Sequence, residues 1–439
     1  MEYDYDNIVH SIHLDIDRCN GCINCLKRCP TQAIRVRDKK AFIITERCID
    51  CGLCIRVCPH KAKRALCDSL ADMKRFRYLI ALPAPSIYSQ FNNIDDKGIV
   101  LKALKAIGFD DVYEVTEVTG VMREIKGEYI RKNRDRLIFP IISTSCPVVT
   151  RLVKVKYPEL IGNLLPVITP VELAGMLAKE KAMKETGLPE QDIGAVFITP
   201  CPAKVSEVHS PIGTDKRYVD LAVAIKDVYP LLLKQMEISR DRSARPPEAV
   251  PAVVYPSDSG IVETEGKIPG ILPSKYLVAD GIESIIMVLE DIESHEYGLE
   301  YVELSACSAG CFGGVLQVEN PYIARLKNRN LRFPRAKGTV GIPELSKILW
   351  DKNLEYSPVM ELGGSRQENF ERYGKLQKLL ETLPGIDCGR CGAPSCKAFA
   401  EDVVKSNAEI NDCNVIFREQ MENVLKMMEA SFDIKNTEP

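Results

Sequence analysis

The sequence has almost no net charge, few histidines and no long apolar run. Its 58 basic and 61 acidic residues leave a net charge of −3, so no broad field draws it to nucleic acid or an anionic membrane. His10, His13, His60, His209 and His295 form no paired metal motif. No stretch reaches the roughly 18 apolar residues that span a bilayer. The acidic, interrupted start from Met1 to His13 is not a secretory leader. No Gly-x-Gly-x-x-Gly or phosphate-binding loop is present, which leaves nucleotide binding unsupported. A soluble, cytoplasmic protein is expected, with no nucleic-acid or membrane partner.

What the chain does hold is cysteine. Seventeen occur in 439 residues. Cys19, Cys22, Cys25 and Cys29 form a tight run ending in Pro30, and Cys48, Cys51, Cys54 and Cys58 repeat it, ending in Pro59. Cys388, Cys391, Cys396 and Cys413 form a third set near the C-terminus. Cys146, Cys201, Cys307 and Cys311 lie between, each on a short turn marked by Pro or Gly. Four thiolates complete an iron–sulfur cubane. Zinc knuckles would be paired Cys-x-x-Cys units, not triplets. A disulfide framework belongs to short secreted chains, which this is not. In two-cluster units the fourth cysteine of each run serves the other cluster. Cys19, Cys22, Cys25 and Cys58 are thus expected to hold one cluster, and Cys48, Cys51, Cys54 and Cys29 another. Cys67 is left over and reads as a buried structural thiol.

Length and a 45% hydrophobic content allow two or three domains with a sizeable core. Residues 1–70 read as a ferredoxin-like unit, with short strands at Ala33–Val36 and Ala41–Ile44 around the turn Asp38-Lys39-Lys40. Residues 71–370 alternate strand-like runs with helical patterns. The runs are Tyr78–Leu82, Leu137–Ile142, Ala195–Thr199, Ser284–Leu289 and Val302–Leu304; the helices include Gly98–Ile107 and Val171–Lys184. Such alternation predicts an α/β domain with parallel sheets, its sites at the carboxyl ends of strands. Arg240–Pro251 reads as a surface connection. Residues 371–439 read as a small helical iron–sulfur domain, with a helix over Leu376–Thr382. A long helical tail is expected from Asp402 to Phe432, its apolar stripe (Val415, Met421, Val424, Leu425, Met428) packing on its own domain or forming a dimer or partner contact.

Three segments carry the central chemistry: Ser143-Thr144-Ser145-Cys146-Pro147, Thr199-Pro200-Cys201-Pro202-Ala203-Lys204-Val205-Ser206-Glu207, and Glu303 through Gly314 with its Cys307-x3-Cys311. In order, spacing and flanks they resemble the three signature loops of the [FeFe] hydrogenases. The resemblance spans about 300 residues, and the ferredoxin-like unit fits the same family. It implies a two-lobed H-cluster domain. Cys146, Cys201, Cys307 and Cys311 would ligate the cubane, with Cys311 bridging to a two-iron subsite that carries CO, cyanide and an azadithiolate. It also implies that Lys204 hydrogen-bonds one cyanide, as suits an ammonium beside an anion. Ala84-Pro85-Ser86 resembles the family turn whose serine donates to the other cyanide.

Departures from the family pattern fall on the proton route. Ser145 stands where catalytic members have a relay cysteine, and a hydroxyl is a far weaker acid than a thiol. Of two family glutamates, one matches Glu124 and the other falls at Gly127, beside Glu128. A relay serine falls at Pro166. Thr199 and Ser305 replace two methionines. The C-terminal set, Cys388 to Cys413, resembles the single-cluster domain of some corrinoid and membrane redox proteins. That addition resembles the sensory branch of the hydrogenases, here without a PAS domain.

The resemblance thus implies an H-cluster plus three further [4Fe-4S] clusters. The enzyme would interconvert H2 and protons slowly and sense H2 or redox state, with a ferredoxin or a signalling protein as redox partner. The alternatives are a metabolic hydrogenase with another proton route, or an iron–sulfur assembly factor that lacks the two-iron subsite.

Overall fold

The computed structural model describes residues 10–92, 94, 96–240, 268–295, 297–331, 343–358, 362–363 and 365–435. The surface connection expected at Arg240–Pro251 lies outside the described residues, apart from Arg240. The chain folds as two compact units, each assembled from separated stretches.

The larger unit comprises Met1–His13, Ile49–Gly52 and Ala65–Ser357. It contains two parallel sheets. One has four strands in the order Asp111–Val112, Tyr78–Pro83, Ile193–Thr199, Leu221–Ala224. Its centre pairs Tyr78 with Ile193 through Pro83 with Ile198. All of Ile193–Thr199 is buried, as a continuous apolar run between two neighbours requires. The other sheet has the order Tyr276–Asp280, Tyr301–Ser305, Ile141–Ile142. The two sheets correspond to the two lobes expected, and the fold is α/β.

Several expected elements need correction. Ser284–Leu289 is not a strand but part of the helix Ile282–Ser294. Ile282, Ile285 and Leu289 are buried while Met287 is 60% exposed; the pattern i, i+3, i+7 is helical, and five consecutive apolar residues, Ile285 to Leu289, masked it. Only Ile141–Ile142 of the Leu137–Ile142 run is strand. The strands Leu221–Ala224 and Tyr276–Asp280 were not expected. The predicted helices form as Gly98–Ala106 and Pro170–Thr186.

The smaller unit comprises Leu14–Cys48, Leu53–Arg64 and Pro358–Pro439. Ile34–Arg37 and Lys40–Ile43 pair antiparallel. Their turn takes Asp38 and Lys39 to φ +49° and +59°, the double left-handed turn that matches strand twist. Chain segments far apart in sequence meet here. The Val36 N–H donates to the Gly392 carbonyl at 2.9 Å. A Cβ on Gly392, whose φ is +76°, would lie 1.8 Å from the Val36 carbonyl oxygen, so the approach needs glycine. Arg35, 1% exposed, donates to Asp402 through Nε at 2.6 Å and Nη2 at 3.1 Å. Arg37 adds a third bond to Asp402 at 2.9 Å.

The C-terminal tail is not one helix. Cys396–Val404 ends before Ser406, which sits at φ +61°, and a second helix runs over Asn414–Lys435. Buried Cys413 separates them. Only the start of the stripe packs on its own domain: Val415 lies against the cluster that holds Phe399 and Cys413, whereas Met421, Val424, Leu425 and Met428 are 45–55% exposed. Leu376–Thr382 forms the end of a longer helix, Arg366–Thr382, started by a Ser365–Glu368 capping box.

Candidate metal centre

The three cysteine loops of the larger unit leave the carboxyl ends of parallel strands, where α/β sheets place their sites. Cys146 follows Ile141–Ile142 and is the N-cap residue of the helix Pro147–Lys156. Cys201 follows Ile193–Thr199 and is the N-cap residue of Pro202–His209. Cys307 follows Tyr301–Ser305, and Cys311 sits in the short turn Gly310–Gly313. Proline opens both helices at the position where its missing N–H costs nothing. Gly314 lets the third loop lie on the second: a Cβ there would come within 2.2 Å of the Pro200 carbonyl oxygen.

These loops bring Cys146, Cys201, Cys307 and Cys311 into the wall of one cavity, together with Lys204 and Ser145. Burial raises the Cys201 thiol well above its ordinary value, and Cys307 and Cys146 beside it raise it further. Burial raises Cys146 too, opposed by the backbone N–H groups of Ala306, Val149 and Val148 and by the Lys204 ammonium. Crowded, buried thiols of this kind give up their protons to a metal, and two of them sit at helix N-termini, which favour thiolate. Lys204 is 3% exposed, and its Nζ lies 5.7 Å from the Phe197 ring centre.

Ser86 is buried at the same edge of the four-stranded sheet, one turn beyond Tyr78–Pro83, and outside the cavity wall. Its carbonyl accepts from Gln90 Nε2, which also meets Gln317; the Gln317 amide donates to the Cys311 carbonyl. Among the described residues Ser86 Oγ has no hydrogen-bond partner. The cavity's donor set, four thiols and a buried ammonium, therefore fits a cluster with anionic ligands, and the spare Ser86 hydroxyl lies outside its wall.

Ser145 has neighbours that the sequence reading missed. Lys126 Nζ donates to Ser145 Oγ at 3.1 Å and to Ser143 Oγ at 3.3 Å, and the two hydroxyls are 3.2 Å apart. Lys126 is 1% exposed. Its signal was available. On the helix Thr119–Asn133 it continues the inward line of Met122 and Ile130 at four-residue intervals. Glu124, two residues earlier, is about half exposed and pairs with Arg123 at 3.2 Å. Gly127 is buried against Pro269. Thr199 turns its hydroxyl to the Cys201 N–H at 3.2 Å and is fully buried, whereas Ser305 lines the cavity. Glu303 lines it as well and accepts from the Tyr276 hydroxyl. Also missed was buried Asp50, which accepts from Ser206 Oγ at 3.0 Å and pairs with Arg151 and His10.

In the smaller unit, burial raises Cys25, and Cys22, Cys58 and Cys19 beside it raise it further. Burial pushes Cys54 up to about 12, with Cys29 as the first contributing thiol. Cys58 therefore lies close to Cys25, and both Cys29 and Cys25 lie close to Cys54. Burial also raises Cys391, with Cys413 and Cys388 adjacent. The Cys396 N–H donates to Asp387 at 2.6 Å, and its side chain packs in the same apolar cluster as Cys391 and Cys413. Cys51 belongs to the larger unit. Cys67 packs against the core, and burial raises its thiol to about 12. His60 is exposed.

Known proteins give this geometry a family. Residues 77–250 and 243–315 match the family described as the iron only hydrogenase large subunit, C-terminal domain. Residues 11–59 match a 4Fe-4S dicluster domain, and residues 383–415 match an Fe-S cluster family. Iron hydrogenase 1 of Clostridium pasteurianum is 27% identical over 233 residues, 49% of this chain and 39% of that protein. The periplasmic [Fe] hydrogenase large subunit of Nitratidesulfovibrio vulgaris is 22% identical over 377 residues, 73% of this chain and 89% of that one. The chain thus spans well under half of the first relative and most of the second. A solved [FeFe]-hydrogenase from Chlamydomonas reinhardtii superposes with a TM-score of 0.44 at 16% identity, over 64% of this chain and 92% of that one. With the hydrogenase match extending over more than half of its length, the chain belongs to the [FeFe] hydrogenase family.

Proposed function

We propose that this chain carries an H-cluster and interconverts H2 and protons slowly, serving to sense H2 or redox state. The observation that carries the reading is the single cavity walled by Cys146, Cys201, Cys307, Cys311 and Lys204. Cys146, Cys201, Cys307 and Cys311 would hold the H-cluster, a cubane with a two-iron subsite that carries CO, cyanide and azadithiolate, and Cys311 would be the thiolate shared with that subsite. That group, when bound, supplies the reversible cleavage of H2. Lys204 keeps an ammonium at the cavity wall for one cyanide. Ser86, with its unpartnered hydroxyl, serves the other. A buried ammonium and a spare hydroxyl have no use in a cubane-only assembly factor, which favours the hydrogenase reading.

Three further [4Fe-4S] clusters belong to the proposal, on Cys19, Cys22, Cys25 and Cys58, on Cys48, Cys51, Cys54 and Cys29, and on Cys388, Cys391, Cys396 and Cys413. They carry electrons to or from a ferredoxin or a signalling protein. The division into 1–70, 71–370 and 371–439 describes these cluster-bearing parts. No described helix is long and apolar enough to cross a membrane, and we place the protein in the cytoplasm. The exposed stripe on Asn414–Lys435 offers a homodimer contact.

Slow turnover follows from Ser145 in place of a thiol, from the outward, Arg123-paired Glu124, and from Gly127 and Pro166. Infrared spectroscopy of the matured protein tests the reading. CO and cyanide stretches are expected, and their absence at full cubane occupancy would leave a cubane-only protein.

A further inference from the structure

We propose that Lys126 is a proton-relay residue acting through Ser145, at the inner end of a route whose outer part this chain lacks. The inference rests on the H-cluster reading above. Ser145 lines the cysteine cavity and Lys126 does not. Lys126 is nonetheless a cation that reaches Ser145, at 3.1 Å, within the reach required of a general acid or base. It comes from a different element, the helix Thr119–Asn133, and crosses buried space to do so. A lysine buried to 1% exposure on an otherwise apolar helix face is costly unless it is hydrogen-bonded, and the bonds it makes are to Ser143 and Ser145 beside the cavity.

The chemistry balances without ionising the serine. A hydroxyl donates one hydrogen and accepts at its lone pairs. The Lys126 ammonium passes a proton to Ser145 Oγ as the hydrogen already on Oγ moves on to an acceptor in the cavity. Ser145 stays neutral, Lys126 becomes a neutral amine, and the next proton to reach it restores its charge. H2 oxidation runs the same transfers backwards. Ser143, 3.3 Å from Lys126 and 3.2 Å from Ser145, offers a parallel hydroxyl and holds the three groups in a triangle. The contrasting role is structural: the ammonium fixes the Ser143–Ser145 turn ahead of Cys146 and moves no proton.

Lys126→Met removes the charge and the proton. Lys126→Arg keeps a charged donor that does not titrate in proteins. The readout is the time in which the CO and cyanide infrared bands of matured protein re-equilibrate after a pH jump at fixed potential, measured without turnover. Both variants are expected to show the wild-type bands but to reach equilibrium on the order of 10²-fold more slowly, the scale of general acid–base effects. A wild-type rate in Lys126→Met, or a wild-type rate restored by Lys126→Arg, would overturn the relay, as would wild-type bands that ignore the jump. If neither lysine variant folds, judged by circular dichroism, Ser145→Ala decides: slowing of similar size supports the relay and an unchanged rate refutes it. Absence of CO and cyanide bands from wild type defeats the H-cluster reading and takes the relay with it, whereas normal bands with unchanged kinetics defeat the relay alone.

Discussion

Arg35 and Asp402, 367 residues apart in sequence, form a buried two-bond ion pair in the smaller unit, with Nε–Oδ2 at 2.6 Å and Nη2–Oδ1 at 3.1 Å. The fork of the guanidinium matches the carboxylate, the geometry that makes such pairs strong. It joins the hairpin of the dicluster region to the helix Cys396–Val404.

Removing one member of a buried pair strands the other charge, at a cost of about 3–5 kcal/mol. Asp402→Ala strands two, Arg35 and Arg37. Amide hydrogen exchange of Ile34–Ile43 and Cys396–Val404 is expected to lose protection by an amount of that order. Protection equal to wild type would mean the pair contributes nothing.

Glu172 sets a pH dependence. Burial is the main cause of a carboxyl pKa raised from 4.5 to about 8. Oε2 accepts from the Tyr218 N–H at 2.9 Å, while Oε1 has no partner among the described residues. Between pH 4.5 and 8 the unfolded chain has lost this proton and the folded chain keeps it. Stability contributed by the protonated carboxyl is therefore present below pH 4.5 and falls as pH rises through that window, by at most roughly 1.4 kcal/mol per pH unit. Glu172→Gln can keep the bond from Tyr218 and cannot ionise. Urea denaturation at pH 5 and pH 8 is expected to show the variant gaining on wild type at the higher pH. An equal gap at both values would show that Glu172 does not titrate in this range.

Protein made without maturation enzymes is expected to fold and hold about 16 iron atoms, as four cubanes on protein thiolates. After maturation the count should rise to about 18 with the two-iron subsite, and H2 turnover should begin. Turnover before maturation, or an iron content near half this after anaerobic reconstitution, would contradict the ligand sets.

Ser145→Cys is expected to raise turnover without reaching the rate of the fastest relatives. A thiol with a pKa near roughly 8.5 titrates much nearer working pH than a hydroxyl does, and Lys126 at 3.1 Å from Oγ would favour its thiolate. The gain stays limited because Glu124 lies outward and Gly127 and Pro166 bring no proton. Equal turnover in wild type, Ser145→Ala and Ser145→Cys at matched cluster occupancy would show that protons enter elsewhere.

Cysteine spacing is local, so the four thiol groups can be proposed from the sequence without the fold. The nearness of Cys58 to Cys25 and of Cys29 to Cys54 agrees with the exchange of fourth cysteines that the repeat suggests. Cys146 and Cys201 were readable as strand-end residues because apolar runs precede them. Ser284–Leu289 misled, since Ile285 and Ile286 are consecutive and β-branched while the face they serve is helical. The breaks at Ser406 and Cys413 fall on Ser406-Asn407 and Asn411-Asp412-Cys413-Asn414, poor helix formers whose signal was outweighed by the helical pattern on either side. Lys126, Asp50 and Asp402 were illegible for another reason. Each acts through partners 17 to 367 residues away in sequence, and a charged residue does not advertise that it points inward unless its helical face is traced.

The Arg35–Asp402 pair also has a direction in time. At about 5–20 residues per second, Asp402 is synthesised roughly 20–70 s after Arg35. Over that interval Arg35 must remain in water, because its counter-charge does not yet exist. The ribosome meanwhile completes residues 65–357, all of the large stretch of the other unit. The cysteines read out first therefore belong to the part of the molecule whose structure is completed last.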